Sequence, residues 1–144
     1  METYDTYVSR LRIDKANLQQ EILEQVELTV QVMSEAHALR WEAERQKEIL
    51  SETEALTLIR IKEDISKKRT VDEVKAAVTT DPIVVAEKKK YIDLKEAHDK
   101  WAILADGYKN RGYALRELVE IYGQEFTSDP ASIAEARLNR KLQS

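Results

Sequence analysis

Residues 94–122 read LKEAHDKWAILADGYKNRGYALRELVEIY, and within them Leu94, Ala97, Trp101, Leu104, Tyr108, Arg111, Leu115, Leu118 and Tyr122 recur in alternating steps of three and four. That spacing holds one face of an α-helix in one direction and is the heptad pattern of a coiled-coil seam. Just upstream, Thr80-Asp81-Pro82 is a helix start, with an aspartate cap and a proline at the first helical position, where its missing N–H costs nothing. Unbroken from Pro82 to Phe126, the helix would be about 65–70 Å long at ~1.5 Å per residue. A seam of that length needs partners, from the first helix or from other chains. Gly107 and Gly112 lie inside it, each costing about 1 kcal/mol relative to alanine in a helix interior, which points to close backbone approach or a bend at these places.

No glycine or proline precedes Pro82, so a long first helix is permitted. Asp14 is its expected cap, and Leu18, Ile22, Val26, Val30 and Met33 are its expected buried aliphatic face. Ala36, Leu39, Ala43 and Leu50 extend this face thinly, and Leu58, Ile61 and Ile65 resume it. In Lys67-Lys68-Arg69-Thr70-Val71-Asp72-Glu73, Thr70 and Glu73 stand in the capping-box relation, so one helix should stop near Lys68 and a short second one begin after Thr70. Ser128-Asp129-Pro130 repeats the cap-then-proline signal before an alanine-rich segment bearing Arg137, Arg140 and Lys141. The expected organisation is a single helical domain over residues 1–126 and a C-terminal helical arm over 127–144.

Composition agrees with an all-α, elongated, oligomeric protein built on long helices with coiled-coil-like seams. Of 144 residues, 42% are hydrophobic and 35% charged, with three Gly, two Pro and nine aromatics (two Trp, six Tyr, one Phe). Without cysteine there is no disulfide framework, thiolate zinc site or cysteine nucleophile. The acidic start, Met-Glu-Thr-Tyr-Asp, lacks the basic and apolar regions of a signal peptide, and no run approaches the ~20 apolar residues of a membrane span. The expectation is a cytoplasmic protein with no membrane association.

Chemistry is sparse. His37 and His98 have no second histidine or cysteine at metal-ligand spacing, and there is neither a glycine-rich phosphate loop nor a nucleophile elbow. The carboxylates sit at helical spacings with bases, as solvated ion pairs do. No catalytic residue, metal site or cofactor is expected. The net charge of −4 argues against indiscriminate coating of nucleic acid. It conceals a gradient, however, with residues 1–56 holding twelve acids and six bases (net −6) and residues 57–144 fifteen acids and seventeen bases (net +2). A phosphate site should therefore lie in the second part. Arg60, Lys62, Lys67, Lys68 and Arg69 place five bases in ten residues at the end of the first helix, where they can oppose the helix dipole, form a solvated face, or bind nucleic acid. Lys88-Lys89-Lys90 is a second basic run with the same alternatives. Arg111, the one charge on the seam, can form a register-setting ion pair or contact phosphate.

Taken in order, these signals resemble the UvsY type of phage recombination mediator. The residues that carry the resemblance are Ile13-Asp14 with Leu18, the basic stretch Leu58-Ile59-Arg60-Ile61-Lys62, and Asp81 followed about thirty residues later by Arg111-Gly112-Tyr113-Ala114-Leu115-Arg116. They span roughly residues 10–125. The resemblance implies a helical homo-oligomer, arranged as a ring, that binds single-stranded DNA and helps load a RecA-like recombinase where a single-strand-binding protein sits, in homologous recombination, repair and replication. It carries Arg60 over to the family's DNA-contacting stretch, with Lys62 near but out of register. The chain departs from the family in its acidic first helix, in lacking an aromatic and glycine turn after the basic stretch, and in its C-terminal segment. A structural coiled-coil scaffold or chaperone without nucleic-acid binding fits the heptads and charge pattern equally well, and the resemblance alone favours the mediator.

Overall fold

The computed structural model describes residues 2–64 and 68–128, together with Leu138 and Leu142. Over these residues the chain is all-α. Helix α1 spans Tyr4–Ser9, a 3₁₀ turn spans Lys15–Asn17, and α2 (Leu18–Glu63), α3 (Val71–Thr80) and α4 (Pro82–Ser128) follow. The expected Ile65, Lys67 and most of the C-terminal arm, with Arg137, Arg140 and Lys141, lie outside the described residues.

The helix starts have local causes, whereas α2 ends at Glu63, short of the expected stop near Lys68. The Asp14 carboxylate accepts from the Ala16 N–H at 3.0 Å, capping the 3₁₀ turn that leads into α2. Thr70 and Glu73 form both halves of the capping box of α3, the Thr70 hydroxyl accepting from the Glu73 N–H and the Glu73 carboxylate from the Thr70 N–H. Asp81 accepts from the Ile83 N–H at 3.0 Å at the head of α4. Helix α1, whose cap is Thr3, is not among the expected elements.

Packing divides the chain into two compact units, one of Met1–Val30 with Asp106–Ser144, the other of Gln31–Ala105. In the first, α2 and α4 run antiparallel, since Glu21 meets Arg111 and Gln25 meets Tyr108. Its core holds Tyr7, Leu28, Tyr108, Arg111 and Leu115. The Tyr108 ring meets the Tyr7 ring edge-on at 6.4 Å, and its hydroxyl donates to the Tyr7 carbonyl at 2.7 Å, fastening α1 to α4. The second unit buries Val32, Ala36, Ala43, Gln46, Thr57, Val84, Leu104 and Ala105. Gln46 donates there to the Glu87 carbonyl at 3.1 Å and to its carboxylate at 2.5 Å, so a buried amide on α2 is satisfied by α4. The amide and Lys90 hold the Glu87 carboxyl below its ordinary range.

Between residues 22 and 33 the expected aliphatic face of α2 is not the buried one. Ile22 and Met33 are exposed, as are Val26 at 71% and Val30 at 57%, while Leu28 and Val32 point inward; further along, Ala36 and Ala43 are buried as expected. The inner line of α2 passes instead through Glu21, Gln25, Leu28 and Val32. It is chosen by polar partners on α4 rather than by aliphatic content.

Of the two glycines inside the seam, Gly112 serves close approach and Gly107 does not. A Cβ on Gly112 would come within 3.1 Å of Gln25 Nε2, an amide already held by hydrogen bonds to Thr29 and Tyr108. A Cβ on Gly107 would meet only the Leu11 methyls at 3.5 Å, ordinary contact. Gly107→Ala should therefore gain most of the helix-propensity difference, up to about 1 kcal/mol, seen as a higher urea midpoint. An unchanged or lower midpoint would show that Leu11 cannot accept the methyl.

Candidate nucleic-acid interface

The expected seam residues divide by burial. Leu104, Tyr108, Arg111 and Leu115 are buried within the single chain, Leu94, Trp101 and Leu118 are half-buried, and Tyr122 is exposed. For Tyr108 and Arg111 the partners are α1 and α2 of the same chain. Arg111, 5% exposed, pairs with Glu21 and donates from Nη1 to Gln25 Oε1 at 2.5 Å. Burial, and after it the like charge of Arg10, lower the readiness of this guanidinium to carry its charge. Arg111 thus forms an ion pair between helices of one chain.

The basic cluster has a different character. It belongs to the second unit, where the end of α2, residues 68–70 and α3 come together. Arg60, on the last turns of α2, pairs with the Asp81 carboxylate that caps α4. Arg60 therefore closes α2 onto the start of α4, and its charge is partly offset, although the side chain stays mostly exposed. Lys62 and Lys68 are exposed and Arg69 is half-buried. Lys67 lies outside the described residues. Lys75, not singled out from the sequence, faces the same groove as Lys62 and Arg69, one turn into α3. Only the pattern of a base four residues after Val71 could have pointed to it.

Two depressions share this edge. One, of about 520 Å³, is lined by Arg60, Asp64, Arg69 and Asp81, so acids offset its bases. The other, of about 380 Å³, has Leu58, Ile61, Val71 and Val74 for its floor and Lys62, Arg69 and Lys75 around it. Among the described residues none of these three cations makes an ion pair with a carboxylate, whereas Arg10, Arg60, Lys90, Lys109 and Arg111 all do. Lys88 and Lys89 are exposed on α4, and Lys90 meets Glu87 at 3.1 Å. Among the described residues no cluster of three His, Asp or Glu could hold a metal ion, and no helix is long and apolar enough to cross a membrane.

Two long helices, a short capped helix between them in the chain and a basic edge beside it define a backbone path that can be compared as a whole. The chain is similar in fold to the bacteriophage T4 recombination mediator protein UvsY. The match has a TM-score of 0.72 and covers 84% of this chain and 94% of the UvsY chain in its crystal structure, at 18% sequence identity. No family model matches the sequence, and no curated protein does. The likeness to UvsY therefore lies in the path of the backbone, and it extends over nearly all of that protein.

Proposed function

We propose that this chain is a non-enzymatic mediator of homologous recombination, a homo-oligomer that binds single-stranded DNA and helps a RecA-like recombinase to load where a single-strand-binding protein is already seated. The observation that carries this reading is the fold shared with UvsY over most of both chains. Lys62, Arg69 and Lys75, cations without carboxylate partners among the described residues, support it by lining one groove of a chain whose net charge is −4, with exposed Lys68 next to Arg69 in the sequence. One such groove is a weak site for a polyanion. Several copies in an oligomer act together, because each bound site raises the effective concentration of the next, and a flexible single strand can follow them.

The test is titration of a labelled single-stranded oligonucleotide at several salt concentrations. Neutralising Lys62, Lys68, Arg69 and Lys75 together, with Arg60 retained to keep its pair with Asp81, should lower affinity and flatten the salt slope by roughly 0.7 for each phosphate no longer neutralised. Helix content should persist, because none of the four is buried. An unchanged slope would move the site to Lys88–Lys90. No binding by the wild type at low salt would favour the scaffold reading.

A further inference from the structure

The groove between the end of α2 and α3 combines two features that single-stranded DNA does not require together. Its floor is aliphatic, with Leu58, Ile61, Val71 and Val74, and among the described residues none that lines it carries a ring on which a base could stack. Its rim carries three cations, Lys62, Arg69 and Lys75, without carboxylate partners among the described residues. These side chains carry the positive charge of the groove, and the capping box of α3 already engages the N–H groups of Thr70 and Glu73. Val71 is 72% exposed, so part of this shallow apolar lining meets water in the free chain.

We propose that this groove docks an acidic protein segment bearing aliphatic side chains, which lie on the floor while its carboxylates meet Lys62, Arg69 and Lys75. Charge complementarity selects the partner's sign, and the aliphatic floor selects protein over nucleic acid. Burying an aliphatic side chain returns free energy that a phosphate backbone cannot supply, while carboxylates flanking it satisfy the three rim cations. The site goes beyond the DNA reading, yet it shares Lys62, Arg69 and Lys75 with it. An acidic segment and a single strand would therefore compete for the same charges, and docking of such a partner would loosen DNA at this edge.

The test uses the full-length chain and a short labelled peptide of aspartate and glutamate carrying a pair of leucines, followed by fluorescence anisotropy. The same peptide with serines for leucines is the control. The leucine peptide should bind about tenfold more tightly. Val71→Ser should remove most of that advantage without disturbing the fold, since the side chain is exposed, and should leave oligonucleotide affinity unchanged. Lys62→Ala with Lys75→Ala should weaken both peptides. Equal binding of the two peptides, or none, would overturn the proposal, as would an advantage that survives Val71→Ser. If Val71→Ser lowered oligonucleotide affinity, the floor would belong to nucleic acid instead. If Val71→Ser or the double lysine variant changed the mass of the free protein in light scattering, a second copy of this chain would be the occupant. Oligonucleotide titration in parallel separates this outcome from failure of the DNA reading, because the leucine peptide can bind whether or not DNA does.

Discussion

Arg111→Ala is expected to cost about 3 kcal/mol of unfolding free energy, near the lower end of the range for removing one partner of a buried ion pair. The side chain of Arg111 is 3% exposed and that of Glu21 16%, so the abandoned carboxylate would keep some access to water, which is why the lower end applies. Gln25 Oε1 would lose its donor as well. The wild-type site is itself imperfect, because Arg111 Nε is buried with no hydrogen-bond partner among the described residues. Replacing both charges by apolar residues, Arg111→Met with Glu21→Leu, should therefore recover most of the loss, since neither desolvation nor an orphaned charge remains. Urea unfolding of Arg111→Ala, of the single variants Arg111→Met and Glu21→Leu, and of the double, at one protein concentration, measures this. A loss below about 1 kcal/mol for Arg111→Ala would place the pair among solvent-screened interactions.

The same residues explain which parts of the fold are legible in the sequence. Signals that act over a few residues, including Thr70 with Glu73, Asp81 with Pro82 and Asp14 before α2, match the structure because a cap is satisfied by its own neighbours. The α4 seam is legible for a related reason, since its inner face is mostly apolar and its period is clear. The inner face of α2 is not, because Glu21 and Gln25 are drawn inward by Arg111 and Tyr108, and Gln46 by Glu87, each about forty or more positions away. Set against those partners, Ile22, Val26 and Val30 make the more apolar face and yet stand outward. Of the candidate site, the basic cluster is visible as composition, but its division is not. Asp81 reads locally as a helix cap, and nothing near it shows that Arg60 closes onto it. Lys75 joins Lys62 and Arg69 only once α3 has folded back against the end of α2.

Tyr108→Ala should be as costly as any single substitution in the first unit, about 3–5 kcal/mol, because a fully buried aromatic is removed and α1 loses its fastening. Tyr108→Phe separates the ring from the hydroxyl. It keeps the edge-on contact with Tyr7 and should cost about 1–2 kcal/mol, as the Tyr7 carbonyl loses its donor. The two variants should also differ from wild type at high pH. Burial pushes the Tyr108 phenol up to about 12 from its ordinary value of 10.0, because the phenolate would be poorly solvated. The folded state thus holds this proton more tightly than the unfolded chain. The stabilisation that follows is fully present below pH 10 and is lost as pH rises towards 12. Other tyrosines and lysines titrate in the same window, so the informative quantity is the difference between wild type and Tyr108→Phe. That difference should be constant from pH 7 to about 9.5 and shrink above it, since only the wild type must release a buried phenol proton. A difference that stays constant to pH 12 would mean that the phenol titrates alike in the folded and unfolded chain, and that the Tyr108 hydroxyl acts through its hydrogen bond alone.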